Sequence, residues 1–231
     1  MQWRMMMACG MAAVALSSAS AAPPTTNDGA LGLGPAARIT WNTAHTAARR
    51  IDGLAVPTAG ADSGERARAF VRDHRALLAV EDVRIVDVKR VRLPDPRVPS
   101  YEVVRAIPTW RGLPIEGWSL VVRIDAAGRV TAVANDGEPL TVAPIAHEID
   151  GARALEVARS TFRIVAANSP EKVVLPLGSA ARVAWKIAVA ALPIGGAFWV
   201  WVDAEDGRVL RESPAASDQT LRTLPRREVT P

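Results

Sequence analysis

The residues that could catalyse a reaction or hold a metal are few in this chain, and they are widely separated. The three histidines are His45, His74 and His147. His147 opens the stretch HEIDG, but Gly151 stands where a zinc-binding His-Glu-x-x-His helix needs its second histidine. The only cysteine, Cys9, lies in the first ten residues. These residue types and spacings disfavour zinc and thiolate enzymes.

The acidic stretch DAEDG at 203–207 is a second candidate ligand group. Its carboxylates are closely spaced, as in a calcium loop, but no glutamate follows at the spacing that a calcium hand requires. The stretch therefore predicts a solvated turn. The chain also has no Gly-x-Ser-x-Gly elbow, phosphate-binding loop or dinucleotide fingerprint. We expect a protein that is not an enzyme and that uses no cofactor or metal.

Tryptophan supplies the strongest candidate binding groups. In FWVWV, Trp199 and Trp201 alternate with Phe198, Val200 and Val202, so the predicted strand is apolar on both faces. Such a strand is either buried on both sides, which is the commoner case, or it presents one face to a partner.

Five residues follow as candidate partner-binding groups. The C-terminal arginines among them also fit a basic processing site, although a basic tail contains such residues by default. The candidates are Trp199, Trp201, Arg222, Arg226 and Arg227.

The elements that would position these groups follow one order twice. In the first half, Asp62 caps a helix with Glu65 three positions later, and Phe70 and His74 lie on its apolar face. Alternating apolar residues, such as those of WSLVVRID, then predict antiparallel strands at about 83–93, 100–110, 115–125 and 129–135.

In the second half, Asp150 caps a helix whose apolar face carries Leu155, Ala158, Phe162 and Val165. Strands are expected at about 172–176, 181–191, 197–203 and 207–211. The turn sequences RIDAAGRV and WVDAEDGRVL, which close the two halves, each combine an aspartate with a glycine suited to a hairpin. The order predicts an α+β fold of two consecutive helix-plus-antiparallel-sheet modules.

The ends of the chain have a different composition. Residues 1–21 combine Arg4, an apolar stretch and Ala19-Ser20-Ala21, which predicts an export signal; lipid attachment at Cys9 is the alternative. Residues 22–37 predict a flexible N-terminus, and residues 213–231 a disordered tail. No apolar run after residue 21 approaches the roughly 20 residues of a membrane span. We expect a secreted or periplasmic protein.

The net charge is modestly basic. The chain has 28 Lys and Arg against 24 Asp and Glu, a formal charge of +4. The basic residues are dispersed along the sequence, and the densest cluster, DVKRVR at 87–92, alternates with valine as a strand with one solvated face does. A nucleic-acid binder would concentrate them with interleaved aromatics. We therefore expect no nucleic-acid partner.

The order of these elements resembles a known pair of domains. Residues 38–140, with ERARAFVRDHRALLAV and the turn GLPIEG at 112–117, resemble the fungalysin/thermolysin propeptide domain. Residues 145–212, with RVAWKIAVA and FWVWVDAEDGRVL, resemble a PepSY domain. The resemblance implies a prosegment that assists the folding of a zinc metallopeptidase and inhibits it. Here no peptidase domain follows, and Pro108-Thr109-Trp110-Arg111 departs from the family's pattern before the turn.

Three functional hypotheses remain open. The first is an exported inhibitor or folding chaperone of a zinc metallopeptidase, acting as a separate chain. The second is an envelope-associated module that binds a peptide or glycan through its tryptophans. The third is the truncated N-terminal part of a metallopeptidase precursor.

Overall fold

The computed structural model describes residues 32–95, 97, 99–191 and 196–214. Residues 1–31 and 215–231 lie outside this part of the chain, and with them the predicted export signal and Arg222, Arg226 and Arg227. The predictions made for these residues stay predictions.

The first sheet has seven strands, joined antiparallel in the order β1-β2-β7-β6-β4-β3, with β5 paired to β4. The helices α1 (Ser63–Asp73) and α2 (Arg75–Leu78) cover one of its faces. Phe70, Leu78, Ile51, Val104 and Val122 are buried between helices and sheet. The strands are β1 (Arg38–Trp41), β2 (Ala48–Pro57), β3 (Asp82–Val91), β4 (Tyr101–Trp110), β5 (Leu113–Pro114), β6 (Leu120–Asp125) and β7 (Arg129–Asn135).

Helix α1 begins as its sequence predicts. The Asp62 side chain accepts a hydrogen bond from the Glu65 backbone N–H at 2.8 Å, and the Glu65 carboxylate accepts one from the Ala61 N–H at 2.8 Å. These bonds satisfy amides that have no partner within the helix. At the other end, His74 stacks on Phe70 with the ring centroids 4.2 Å apart, so this histidine has a packing role.

The second sheet has six strands around the order β10-β11-β12-β13, with β8 and β9 both paired to β11. Helix α3 (Gly151–Thr161) covers one face, and Asp150 caps it by accepting from the Arg153 N–H at 2.8 Å. The strands are β8 (Thr141–Val142), β9 (Ile164–Ala167), β10 (Glu171–Leu177), β11 (Ala180–Ala191), β12 (Gly196–Asp203) and β13 (Val209–Pro214).

The prediction that Val165 lies on the second helix is wrong. Helix α3 ends at Thr161, and Val165 belongs to β9. Phe162 is already extended and packs edge-on against Phe198 of β12, with the ring centroids 5.1 Å apart. The chain leaves the helix there because β9 must pair with β11.

Trp118 is also placed differently from the prediction, since it precedes β6 instead of lying within a strand over 115–125. The chain turns through residues 111–117, where β5 folds back on β4. Trp118 packs over Gly137, where a Cβ atom would stand 2.6 Å from the indole ring.

The folded part of the chain extends beyond the predicted boundaries at both ends. Leu33 and Ala37, in the segment predicted to be flexible, are buried in the first core. Strand β13 pairs with β12 as far as Pro214, two residues into the predicted tail.

The α+β class is confirmed by the helices and antiparallel sheets. Whether the two halves are separate modules stays a prediction, because the turn after β5 contacts β10. The Glu116 N–H donates to the Val174 carbonyl at 2.8 Å, and Ile115 packs with Val174 and Val183. Within the described residues, no helix is long and apolar enough to cross a bilayer.

Candidate partner-binding site

Strand β12 lies inside the second sheet, between β11 and β13. On each face of the sheet its side chains therefore stand beside those of the two neighbouring strands. On one face, Phe198, Val200 and Val202 pack against Ala154 and Ala158 of α3. This face is a conventional core between helix and sheet.

The opposite face of the sheet is also apolar, and we call it the aromatic face. Its hydrophobic contacts are made among the four strands β10 to β13, and α3 lies on the other side of the sheet. The aromatic face is therefore the side of β12 that no helix of the described residues covers. It consists of Val173, Leu175, Ala184, Trp199, Trp201 and Leu210, of which only Trp199 and Leu210 are partly exposed and the other four are buried.

The two candidate tryptophans differ in their accessibility. Trp201 is only 3% exposed, since it packs within the aromatic face and Arg211 lies over its ring at 5.3 Å. Its buried Nε1–H has no hydrogen-bond partner among the described residues. Trp199 is partly exposed, so it is the indole of this face that a partner can contact.

Lys186 of β11 holds Trp199 in place. Its Nζ lies 4.3 Å from the centre of the Trp199 ring and 5.8 Å from that of Trp201. The same Nζ donates to both carboxylate oxygens of Glu116, at 2.8 and 3.1 Å. Because Glu116 belongs to the turn after β5, this ion pair joins the first sheet to the aromatic face of the second.

A groove of about 370 Å³ lies beside this ion pair, between the two sheets. Its floor is apolar, and the ion pair between Arg84 and Glu171, with N and O atoms 3.0 Å apart, lies at its edge. Trp118, Val173 and Lys186 line it from the side of the turn and of the second sheet. An extended peptide segment fits such a groove in size and polarity.

The acidic turn at 203–207 is held in the fold by contacts with Arg182. The guanidinium of Arg182 contacts the buried carboxylate of Asp203, and it lies 3.9 Å from Glu205 and 3.8 Å from Asp206. The hydrogen bond to Asp203 raises the pKa of Arg182. The Arg208 backbone N–H is the main cause of the lowered pKa of Asp206. A guanidinium thus occupies the place that a calcium ion would need.

The remaining candidates for chemistry are not brought together. The described residues contain no group of three His, Cys, Asp or Glu side chains arranged to hold a metal ion. His74 is packed on Phe70, as described above.

Sequence reasoning missed Lys186 and Glu116. A signal for Lys186 is present in RVAWKIAVA, where a lysine lies between Ala184 and Ala188 on one face of a strand that is otherwise apolar. Its partner Glu116 stands 70 positions away, and no local pattern indicates that pairing.

No protein-family model matches the chain, and no curated protein matches it. Among solved structures, the YpmB protein from Bacillus subtilis is similar over 57% of this chain and 84% of its own length, with 13% identity and a TM-score of 0.26. The Bacillus megaterium YpeB C-terminal domain is similar over 72% of this chain and 71% of its own, with 10% identity and a TM-score of 0.35. At TM-scores this low, neither similarity establishes a shared fold.

Proposed function

We propose that this chain is an exported, non-catalytic protein that binds a zinc metallopeptidase as an inhibitor or folding chaperone. The observation that carries the proposal is the aromatic face, where a partly exposed Trp199 lies on the side of the sheet opposite α3. Tryptophan is strongly enriched among the residues that dominate the energy of protein interfaces.

Trp199 is suited to this role because its ring is fixed before a partner arrives. Lys186 lies over the ring and is itself held by Glu116. A side chain that is already ordered loses less conformational entropy on binding, and this loss costs about 0.5–1.5 kcal/mol for each side chain that must be immobilised.

The groove beside Lys186 gives the partner a second element to occupy. A peptide segment from the partner can lie between the sheets while a broader surface contacts Trp199. This combination suits a globular partner with a projecting strand or loop.

The metallopeptidase as partner comes from the resemblance of residues 38–140 and 145–212 to a propeptide domain and a PepSY domain. An attached prosegment acts at an effective concentration on the order of millimolar. A separate chain working at micromolar concentration needs a binding free energy that is more favourable by about 4 kcal/mol. Each tenfold difference in concentration corresponds to about 1.4 kcal/mol of binding free energy. Anchors such as Trp199 supply energies of this size.

A second candidate is an envelope-associated module that binds a peptide or a glycan. Exposed indole rings favour sugar stacking, but Lys186 already covers one face of the Trp199 ring. Ligand-dependent quenching of tryptophan fluorescence that is lost in Trp199→Ala would favour this candidate.

The test is affinity capture of the tagged chain from the exported fraction of its source, followed by assays on any peptidase recovered. We expect a stoichiometric zinc metallopeptidase whose activity falls, or whose refolding yield rises, when the chain is added. Trp199→Ala should abolish the effect. Trp41→Ala should preserve it, because Trp41 is a partly exposed indole of β1 that packs on the first core. A recovered peptidase that the chain neither inhibits nor helps to refold would overturn the proposal.

A further inference from the structure

The helix-free face of the first sheet gathers basic residues that are far apart in the sequence. Strand pairing places them on one surface, which we call the basic face. Its positive members come from five different strands, β1, β2, β3, β4 and β6. They are Arg38, Arg50, Lys89, Arg105 and Arg123, and all five are exposed.

The strand register shows two rows of side chains that cross this face. Each row runs over all six strands, from β1 through β2, β7, β6 and β4 to β3. The first row is Arg38, Asp52, Ala132, Arg123, Val103 and Lys89. The second row is Thr40, Arg50, Ala134, Val121, Arg105 and Asp87.

The rows contain five cations and two carboxylates, so the face is positive. Among the ion pairs of the described residues, only the one between Arg50 and Asp52 lies within these rows. Arg38, Lys89, Arg105 and Arg123 therefore have no carboxylate partner within this part of the chain. Ala132 and Ala134 separate the cations of β1 and β2 from those of β3, β4 and β6, and they leave the centre of the face shallow.

We propose that the basic face is a docking surface for an acidic protein partner. This inference rests on the proposed function, that the chain is a binding protein, and it adds the charge of the partner. Four of the five cations are arginines, whose planar guanidinium matches a carboxylate with two parallel hydrogen bonds. Unpaired arginines on a flat surface suit aspartate and glutamate side chains of a partner.

The same face is poorly suited to a nucleic acid. Asp52 and Asp87 interrupt the positive rows and would repel a continuous phosphate backbone. Tyr101, which lies on β4 beside the first row, has the Arg123 guanidinium 4.0 Å from its ring centre, so that side of the ring is closed to a stacking base. A protein can place its carboxylates beside the cations and its neutral groups beside Asp52 and Asp87.

The basic face is continuous with the aromatic face. Arg84 and Arg105 line the groove from the first sheet, while Val173 and Lys186 line it from the second. Six strands at a spacing of about 4.8 Å make the basic face roughly 24 Å wide, and its two rows together span about 14 Å along the strands. The resulting area, on the order of 300 Å², falls short of the roughly 800 Å² that each partner buries in a standard interface. One partner that spans both faces and the groove reaches that size.

Binding of poly-L-glutamate, followed by tryptophan fluorescence or calorimetry at low salt, tests the inference. The double variant Arg105→Gln/Arg123→Gln should bind about two- to thirty-fold more weakly, as expected for the loss of two exposed charge pairs. The matched control Arg159→Gln/Arg163→Gln removes the same charge from two exposed positions, one in the last turn of α3 and one just after it, and it should change the affinity less than twofold.

Equal losses in the two variants would overturn the inference, because binding would then follow net charge alone. Absence of poly-L-glutamate binding would also overturn it. Binding of duplex DNA or anionic vesicles through Arg105 and Arg123 in that case would show that the face takes a different class of partner. If Arg105→Gln/Arg123→Gln unfolds, Arg38→Gln/Lys89→Gln replaces it. If poly-L-glutamate binding depends on Arg105 and Arg123 as expected but Trp199→Ala leaves the effect on the peptidase unchanged, the proposed function alone fails.

Discussion

Replacing Lys186 by methionine should weaken the connection between the two sheets. The change keeps most of the side-chain length and removes the charge that pairs with Glu116 and lies over Trp199. We expect a lower free energy of unfolding and a more mobile Trp199 ring.

The magnitude follows from the burial of the pair. Exposed ion pairs contribute about 0.2–1 kcal/mol, and breaking a fully buried pair costs about 3–5 kcal/mol. Lys186 and Glu116 are 18% and 22% exposed, which places their pair between these limits, at about 1.5–2.5 kcal/mol. Loss of the contact with Trp199 adds about 0.5–1 kcal/mol. Lys186→Met should therefore cost about 2–3.5 kcal/mol.

Urea unfolding, followed by tryptophan fluorescence and circular dichroism, measures this loss. Lys89→Met is the control, because Lys89 is an exposed lysine without an ion pair among the described residues, and it should change stability by less than about 0.5 kcal/mol. A double-mutant cycle with Glu116→Gln should give a coupling of about 1–2 kcal/mol. A Lys186→Met loss below about 0.5 kcal/mol, or no coupling to Glu116, would refute the reasoning.

Three further changes test other features of the fold. Arg182→Met should lower Tm because it leaves the buried Asp203 carboxylate unpaired, and Asp203→Asn in the same chain should restore part of the loss. The hydrogen bond from the Ser63 hydroxyl is the main cause of the lowered pKa of Glu102. The Glu102 carboxylate therefore stabilises the fold at pH values above 4.5, the ordinary pKa of a glutamate. Wild type should be more stable than Glu102→Gln at neutral pH, and this advantage should fade below about pH 4.5, in melting curves over pH. Gly137→Ala should displace the Trp118 ring and change the near-ultraviolet circular dichroism.

Each of these expectations has a contrary result. An additive double variant of Arg182 and Asp203 would show that the two side chains stabilise the fold independently. A Glu102→Gln difference that stays constant from neutral pH to below pH 4 would mean that its carboxylate has the same pKa in the folded and unfolded chain. An unchanged near-ultraviolet spectrum in Gly137→Ala would show that Trp118 does not pack on residue 137.

The sequence predicted the features that neighbouring residues determine. Asp62 and Asp150 were recognisable as helix caps, because a cap needs only a side chain and an amide three positions later. Strand β7 was predicted at its observed bounds, 129–135, since alternation along a strand is a local pattern. The predictions failed where distant contacts take over, as at Val165, which is extended because β9 pairs with β11.

The surfaces that bind in our proposals depend on the tertiary structure. FWVWV shows that β12 is apolar on both sides, but only the position of α3 decides that Trp199 lies on the face away from the helix. Arg38 and Lys89 are far apart in the sequence, and six strands in a fixed register bring them into one row. The sequence by itself determined the strands, the caps and the alternation of their faces, because those depend on local backbone geometry. The tertiary structure decided which faces a helix covers and which charges meet, because strand order and register join residues far apart in the chain.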